Sequence, residues 1–77
     1  MFKIVDSNKD LRQIREIVLY EIRNTIFENK LKSGDRLVQN IIASSMGISR
    51  TPVREAIRQL EIEGVAVNVH RKGTIFK

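Results

Sequence analysis

The chain has no cysteine. No disulfide can staple it, and no thiolate metal site can form. It has one histidine, His70, and nothing beside it in sequence would complete a zinc site or a catalytic pair. No apolar run approaches the length of a membrane span, and the first residues lack the pattern of a secretion signal. The expected location is therefore cytoplasmic, with no membrane partner. There is no glycine-rich phosphate loop, no nucleophile–base pair and no carboxylate pair in a cleft-forming context. The reading is accordingly not an enzyme, with no cofactor and no metal. Internal repeats, low-complexity stretches and interdomain linkers are also missing.

What remains is 77 residues, enough for one small domain. Without staples it must close on apolar packing, with or without help from a partner subunit. Lysine and arginine number 14 against 9 aspartate and glutamate, a formal net charge of +5. That balance favours a polyanionic partner only modestly. The distribution says more. Ser49 to Leu60 holds three arginines and one glutamate, and Asn68 to Lys77 holds three cations plus His70 and no acid.

Residues 1–8 read as a lead-in, with Met1 to Val5 a loose start or short strand and Asp6-Ser7-Asn8 supplying helix-capping side chains. Residues 9–77 read as one domain. Leu11, Ile14, Val18, Ile22 and Ile26 step by three and four, which predicts a first helix from about Lys9 to Asn29. Ile17, Leu19, Tyr20 and Phe27 widen its apolar stripe, so more than one face is expected to be covered. Ser33-Gly34-Asp35 is a turn signal, with Arg36 a phosphate-facing or surface arginine rather than anything catalytic, and Leu37-Val38 is a candidate short strand. A second helix is expected from about Gln39 to Met46, offering Ile41, Ile42, Ser45 and Met46 to the core. Gly47 supplies the positive φ of a sharp exit.

The third helix starts near Ser49 or Thr51, with the single proline, Pro52, in its first turn, where a missing N–H costs little. Val53, Ala56, Ile57 and Leu60 form its buried stripe, and Gly64 ends it. The period then changes to two: Val65, Val67 and Val69 alternate with Ala66, Asn68 and His70. Arg71-Lys72-Gly73 reads as a hairpin tip and Thr74-Ile75-Phe76 as the returning strand. The fold class is mainly α with a small β hairpin: a winged helix-turn-helix of three helices and a two- to three-stranded wing.

Arg50, Arg54 and Arg58 lie four apart, and each step turns about 40° past a full helical turn. They form one slowly drifting stripe opposite the apolar one. A helix lying in a major groove needs such a stripe, because the arginine fork matches two acceptors of guanine at once. Ser49 and Thr51 at the helix start suit a phosphate. His70, Arg71, Lys72 and Gly73 at the hairpin tip suit a minor groove. Asn40 could touch phosphate or serve as a local cap. The bland alternative for the stripe is a solvated face, with arginines paired to Glu55, Glu61 or Glu63. For Arg58 a pair with Glu61 or Glu55 weighs as much as a DNA contact.

The stretches Leu31-Lys32-Ser33-Gly34-Asp35-Arg36-Leu37, Ile42 to Ile48, Ser49-Arg50-Thr51-Pro52-Val53-Arg54-Glu55-Ala56-Ile57 and Gly73-Thr74 together resemble the N-terminal winged-helix domain of GntR-family bacterial transcription regulators. The SRTPVREAI stretch is most similar to the FadR-like subgroup with an all-helical effector domain (FCD type). The resemblance runs from roughly Leu11 to Phe76. It implies a sequence-specific DNA-binding domain, with a recognition helix at about 49–63 in the major groove and a wing at 70–73 at the minor groove. The implied partner is double-stranded, pseudo-palindromic operator DNA, bound as a homodimer. By position, Ser49, Arg50, Thr51 and Arg54 fall on the family's recognition-helix contacts, and His70 and Arg71, with Lys72 and Gly73, on those of the wing. Asn40 stands where some members contact DNA through an arginine. Such regulators continue past the wing into an effector domain. To Lys77 this chain carries none of it, so the expectation is a reading head, fragment or naturally short relative, that is a monomer or weak dimer on its own. The competing expectation is a winged helix that docks an acidic protein partner.

Overall fold

The structure is a computed structural model, and it describes residues 10–77. The lead-in at 1–8, with its candidate strand and its Asp6-Ser7-Asn8 cap, lies outside the described residues. Helix α1 spans Leu11–Phe27. Its cap is Asp10: the Gln13 backbone N–H donates to Asp10 Oδ1 at 2.8 Å, and the Asp10 N–H donates to Gln13 Oε1 at 3.0 Å. Two orphan donors are thereby satisfied reciprocally. The helix stops two residues before the expected Asn29, because Asn29 itself turns left-handed at φ 59°. The Lys30 N–H then reaches Thr25 O, and the Asn29 N–H reaches Ile26 O, each at 3.0 Å. This paired closure absorbs carbonyls that a helix end would otherwise leave open.

Helix α2 is Gln39–Met46 and helix α3 is Arg50–Ile62. The turn between them depends on Gly47 at φ 68°, a conformation that costs an ordinary residue roughly 1–2 kcal/mol. It lets the Ile48 N–H fold back onto Ala43 O at 3.1 Å. Gly64 closes α3 in the same way, with the Val65 N–H on Leu60 O at 2.9 Å.

Strands β1 (Ala66–Val69) and β2 (Gly73–Phe76) pair antiparallel, Val69 facing Gly73 and Ala66 facing Phe76. The expected strand at Leu37-Val38 is reduced to a single bridge between Arg36 and Ile75. Backbone bonds from Leu37 N to Thr74 O (2.9 Å) and from Phe76 N to Asp35 O (2.8 Å) still hold this segment along the outer side of β2. The turn at 32–35, closed by the Asp35 carboxylate on the Lys32 N–H, bends the chain away from β2 on one side, and α2 begins on the other.

Val18, Leu19, Ile22, Ile42, Ala43, Met46, Val53, Ala56, Ile57 and Leu60 join Leu37 and Ala66 in one buried cluster. Two expectations about the core need correction. In α1 the stripe is narrower than expected: Tyr20 is 66% and Phe27 86% exposed, on the face opposite Val18 and Ile22. In α2, Ile42, Ala43 and Met46 go inward, while Ile41 and Ser45 face solvent. The cause in both is angular. With about 100° per residue, only one face of each helix can reach a single core on one side. The valine alternation is shifted too. Ala66 is the buried residue of β1, and Val67 is exposed.

Two ion pairs lock α1 to α3 across the outside of this core. Arg23 Nη2 donates to both carboxylate oxygens of Glu63, at 2.8 and 2.6 Å, and Gln59 Nε2 adds a bond at 2.9 Å. Arg15 approaches Glu55 at 3.5 Å. These contacts tie the outer edge of α1 to that of α3, the helix that carries the arginine stripe.

Candidate nucleic-acid interface

Burial of Val53, Ala56, Ile57 and Leu60 at the α1–α3 contact turns the opposite face of α3 outward, and Arg50, Arg54 and Arg58 are all exposed on it. The acids that could have neutralised them are engaged elsewhere. Glu55 faces Arg15, Glu63 is held by Arg23 and Gln59, and Glu61 accepts a hydrogen bond from the Thr74 hydroxyl at 3.0 Å. Hydrogen bonds from Gln59 and Arg23 hold the Glu63 carboxyl below the usual carboxylate range. The pairing of Arg58 with Glu55 or Glu61 therefore does not form. Among the described residues none of the three arginines has a carboxylate partner.

Ser49 is the N-cap of α3, yet its side chain makes no capping bond, so its hydroxyl stays open beside the exposed Thr51. Asn40 is not a cap: Val38 holds the N-cap position of α2, with no side-chain capping bond, and Asn40 lies inside the helix. Its Oδ1 instead accepts from Arg50 Nη1 at 3.4 Å, which joins the start of α2 to the start of α3. The hairpin tip is His70-Arg71-Lys72, all exposed, closed by the Lys72 N–H on Val69 O at 3.0 Å. Arg71 has φ 67°, the left-handed region that an arginine enters at a cost. Gly73 opens β2 just beyond it.

Two open grooves run beside this face. One, of about 340 Å³, is bounded by Arg36, Gln39, Asn40, Arg50, Asn68 and Thr74. The other, of about 460 Å³, is bounded by Arg54, Arg58 and Glu61 together with Gln39, Asn68 and Thr74. The expected residues thus fall into two sets. Asn40 and Arg50 share a groove with the base of the wing, and so do Arg54 and Arg58. His70, Arg71 and Lys72 stand apart at the tip. Sequence reasoning passed over Gln39, Asn68 and Thr74, and left Arg36 between a phosphate-facing and a surface role. Asn68 faces Thr74 in the hairpin register, and strand alternation alone marks Asn68 as polar without showing that it looks toward α3. Among the described residues no cluster of His, Asp or Glu could hold a metal ion, and no helix is long and apolar enough to cross a membrane.

Comparison with known proteins gives a consistent result. Residues 14–76 match the family described as bacterial regulatory proteins, gntR family. An uncharacterised HTH-type transcriptional regulator of Mycobacterium tuberculosis is 36% identical over 63 residues, covering 82% of this chain and 26% of the relative. The gluconate operon transcriptional repressor of Bacillus subtilis is 38% identical over 58 residues, covering 75% of this chain and 24% of the repressor. The chain thus spans about a quarter of the length of these relatives. Among solved structures, a GntR family member from Pseudomonas syringae pv. tomato superposes with TM-score 0.78 at 35% identity, over 88% of this chain and 29% of that one. The AraR DNA-binding domain in complex with operator ORX1 shares the fold at TM-score 0.78 and 22% identity, over 96% of this chain and 93% of that one.

Proposed function

The chain belongs to the gntR family of bacterial regulatory proteins, and from that premise we propose that it reads operator DNA in a sequence-specific way. It is a winged helix-turn-helix DNA-binding domain of a transcription regulator. In the proposed complex α3 lies in the major groove, with Arg50 and Arg54 reaching base edges and Ser49 and Thr51 meeting phosphates. Arg58, further along the same stripe, takes a backbone phosphate, and Asn40 steadies Arg50 at the groove wall. His70, Arg71, Lys72 and Gly73 approach the minor groove. The domain acts without catalysis and without a cofactor, in the cytoplasm.

One observation carries this reading: none of Arg50, Arg54 and Arg58 has a carboxylate partner among the described residues, while Glu55 and Glu63 pair with α1 and Glu61 accepts from Thr74. A face that merely solvates its charges gains by pairing them with neighbours one turn away. Here Glu55 and Glu63 are drawn to α1, the three arginines stay unpaired, and the face keeps a positive field for an outside polyanion. The strained Arg71 at the tip supports the same reading, since left-handed non-glycine residues cluster at sites of function.

The likeness of the SRTPVREAI stretch supports the further proposal that the chain is of the FadR-like, FCD-type subgroup. The corresponding operator is pseudo-palindromic and taken up by two copies, whose pairing is weak in this segment alone. Selection from a random duplex pool with the purified chain tests the proposal. A consensus should emerge, and its recovery should depend on Arg54. A pool that stays unenriched, or tight binding to an acidic protein with no preference among duplexes, contradicts it.

A further inference from the structure

We infer that the groove between the start of α3 and the stem of the wing is a seat for a single phosphate group, with Arg36 and Asn68 as its new members. Arg36 lies in the segment that follows the turn at 32–35, and Asn68 lies in the middle of β1. The bridge between Arg36 and Ile75 and the pairing of Asn68 with Thr74 bring them to one groove with Arg50.

The electrostatics of the groove point to an anion. Two guanidinium groups, of Arg36 and Arg50, border it, and no acid does. Neither arginine has a carboxylate partner among the described residues. The nearby acids lie outside its lining: Asp35 accepts from the Lys32 N–H at 2.8 Å, and Glu61, in the neighbouring groove, accepts from the Thr74 hydroxyl. Like charges sharing a low-lying groove repel, and an anion between them converts repulsion into two charge-assisted bonds.

The geometry suits that ligand. Arg50 spends one N–H on Asn40 at 3.4 Å, which orients its fork and leaves the other donors free. Arg36 Nη2 lies 3.6 Å from where a Cβ would stand on Gly73, which places the guanidinium in contact range of the wing. The Asn68 amide lies between the two grooves and can donate to an oxygen held by either arginine. At roughly 30 Å³ per water, a groove of about 340 Å³ admits a phosphate group with its remaining hydration.

The ligand is phosphate chemistry, from either of two sources. One is a backbone phosphodiester lying between the major-groove helix and the minor-groove wing; this use rests on the DNA-reading proposal above. The other is inorganic phosphate or a small phosphate ester. On DNA, the seat would fix the register of helix against wing and add affinity without sequence preference.

The test is an amide-resolved NMR titration of the folded chain, paired with binding assays. Sodium phosphate is compared with sodium chloride at equal ionic strength, and then duplex DNA is added. The Asn68 side-chain amide and the Gly73 amide should shift, and the shift should vanish in Arg36→Ala. A response to DNA alone identifies the backbone as the source, and a response to inorganic phosphate as well shows that free phosphate is also taken. On DNA, Arg36→Ala and Asn68→Ala should weaken selected and scrambled duplexes by the same factor. Arg36→Ala should also lower the slope of log K against log salt by about 0.9. The seat is overturned if neither phosphate source moves the Asn68 amide, or if Arg36→Ala keeps the full slope. If Arg36→Ala is silent while Arg50→Ala and Arg54→Ala lose binding, only the seat fails. If all of them are silent, the DNA-reading proposal fails with it.

Discussion

Replacing Leu60 by alanine tests the packing that presents the arginine stripe. Leu60 is fully buried, on the inner face of α3, and its carbonyl receives the Val65 N–H that closes the helix. The substitution keeps that backbone bond and removes three carbons from the core. Core Leu→Ala changes cost about 2–5 kcal/mol, with the upper range for sites that cannot collapse. Leu60 is held by helix on one side and by the first residues of the wing on the other, so a cost of about 3 kcal/mol is expected. At roughly 0.05–0.15 kcal/mol per residue, a 77-residue domain has about 4–12 kcal/mol in total. The variant therefore folds marginally. Urea unfolding followed by circular dichroism should show the midpoint falling by about 3 M, for an m-value near 1 kcal/mol/M, with the slope unchanged. The fraction that remains folded should bind DNA as the wild type does, because Leu60 does not reach the surface. A midpoint shift worth less than about 1 kcal/mol would refute the claim that α3 is positioned by this core.

Further outcomes follow from single contacts. Asp10→Ala should cost about 1 kcal/mol and speed amide exchange in the first turn of α1, leaving DNA affinity unchanged. Glu63 has a folded-state pKa below its unfolded value, so its contribution is present above the unfolded pKa and lost as pH falls through the folded one. Acid unfolding should therefore steepen below about pH 4.3, and Glu63→Gln should flatten that limb. Arg71→Gly relieves a left-handed arginine and should raise stability by up to about 1 kcal/mol in thermal melts, while weakening DNA binding at the wing; a variant that binds better would count against a contact at the tip.

Local patterns made much of the fold legible. Gly47 and Gly64 marked helix ends by their backbone needs, and the switch from period three-to-four to period two marked the wing. What stayed hidden is long-range. Arg23 and Glu63 are 40 residues apart, and only the packing of α1 on α3 makes them partners. That pairing, with Arg15–Glu55, decides whether the stripe on α3 is free, so the functional point could not be read from spacing alone. Tyr20 and Phe27 looked like core because hydrophobicity carries no direction until the rest of the core is placed. Arg36 and Asn68 lie on different segments of the chain, and they share a groove only through the register of the wing.

The central claim is that Arg50 and Arg54 read DNA from an unpaired face. It is tested most directly by equilibrium binding of the wild type and the Arg50→Ala/Arg54→Ala double variant to one selected duplex at one salt concentration, with circular dichroism confirming that both are folded. Each contact is expected to contribute about 1–3 kcal/mol, so the double variant should bind at least about 30-fold more weakly. Equal affinity of the two folded proteins would contradict the claim.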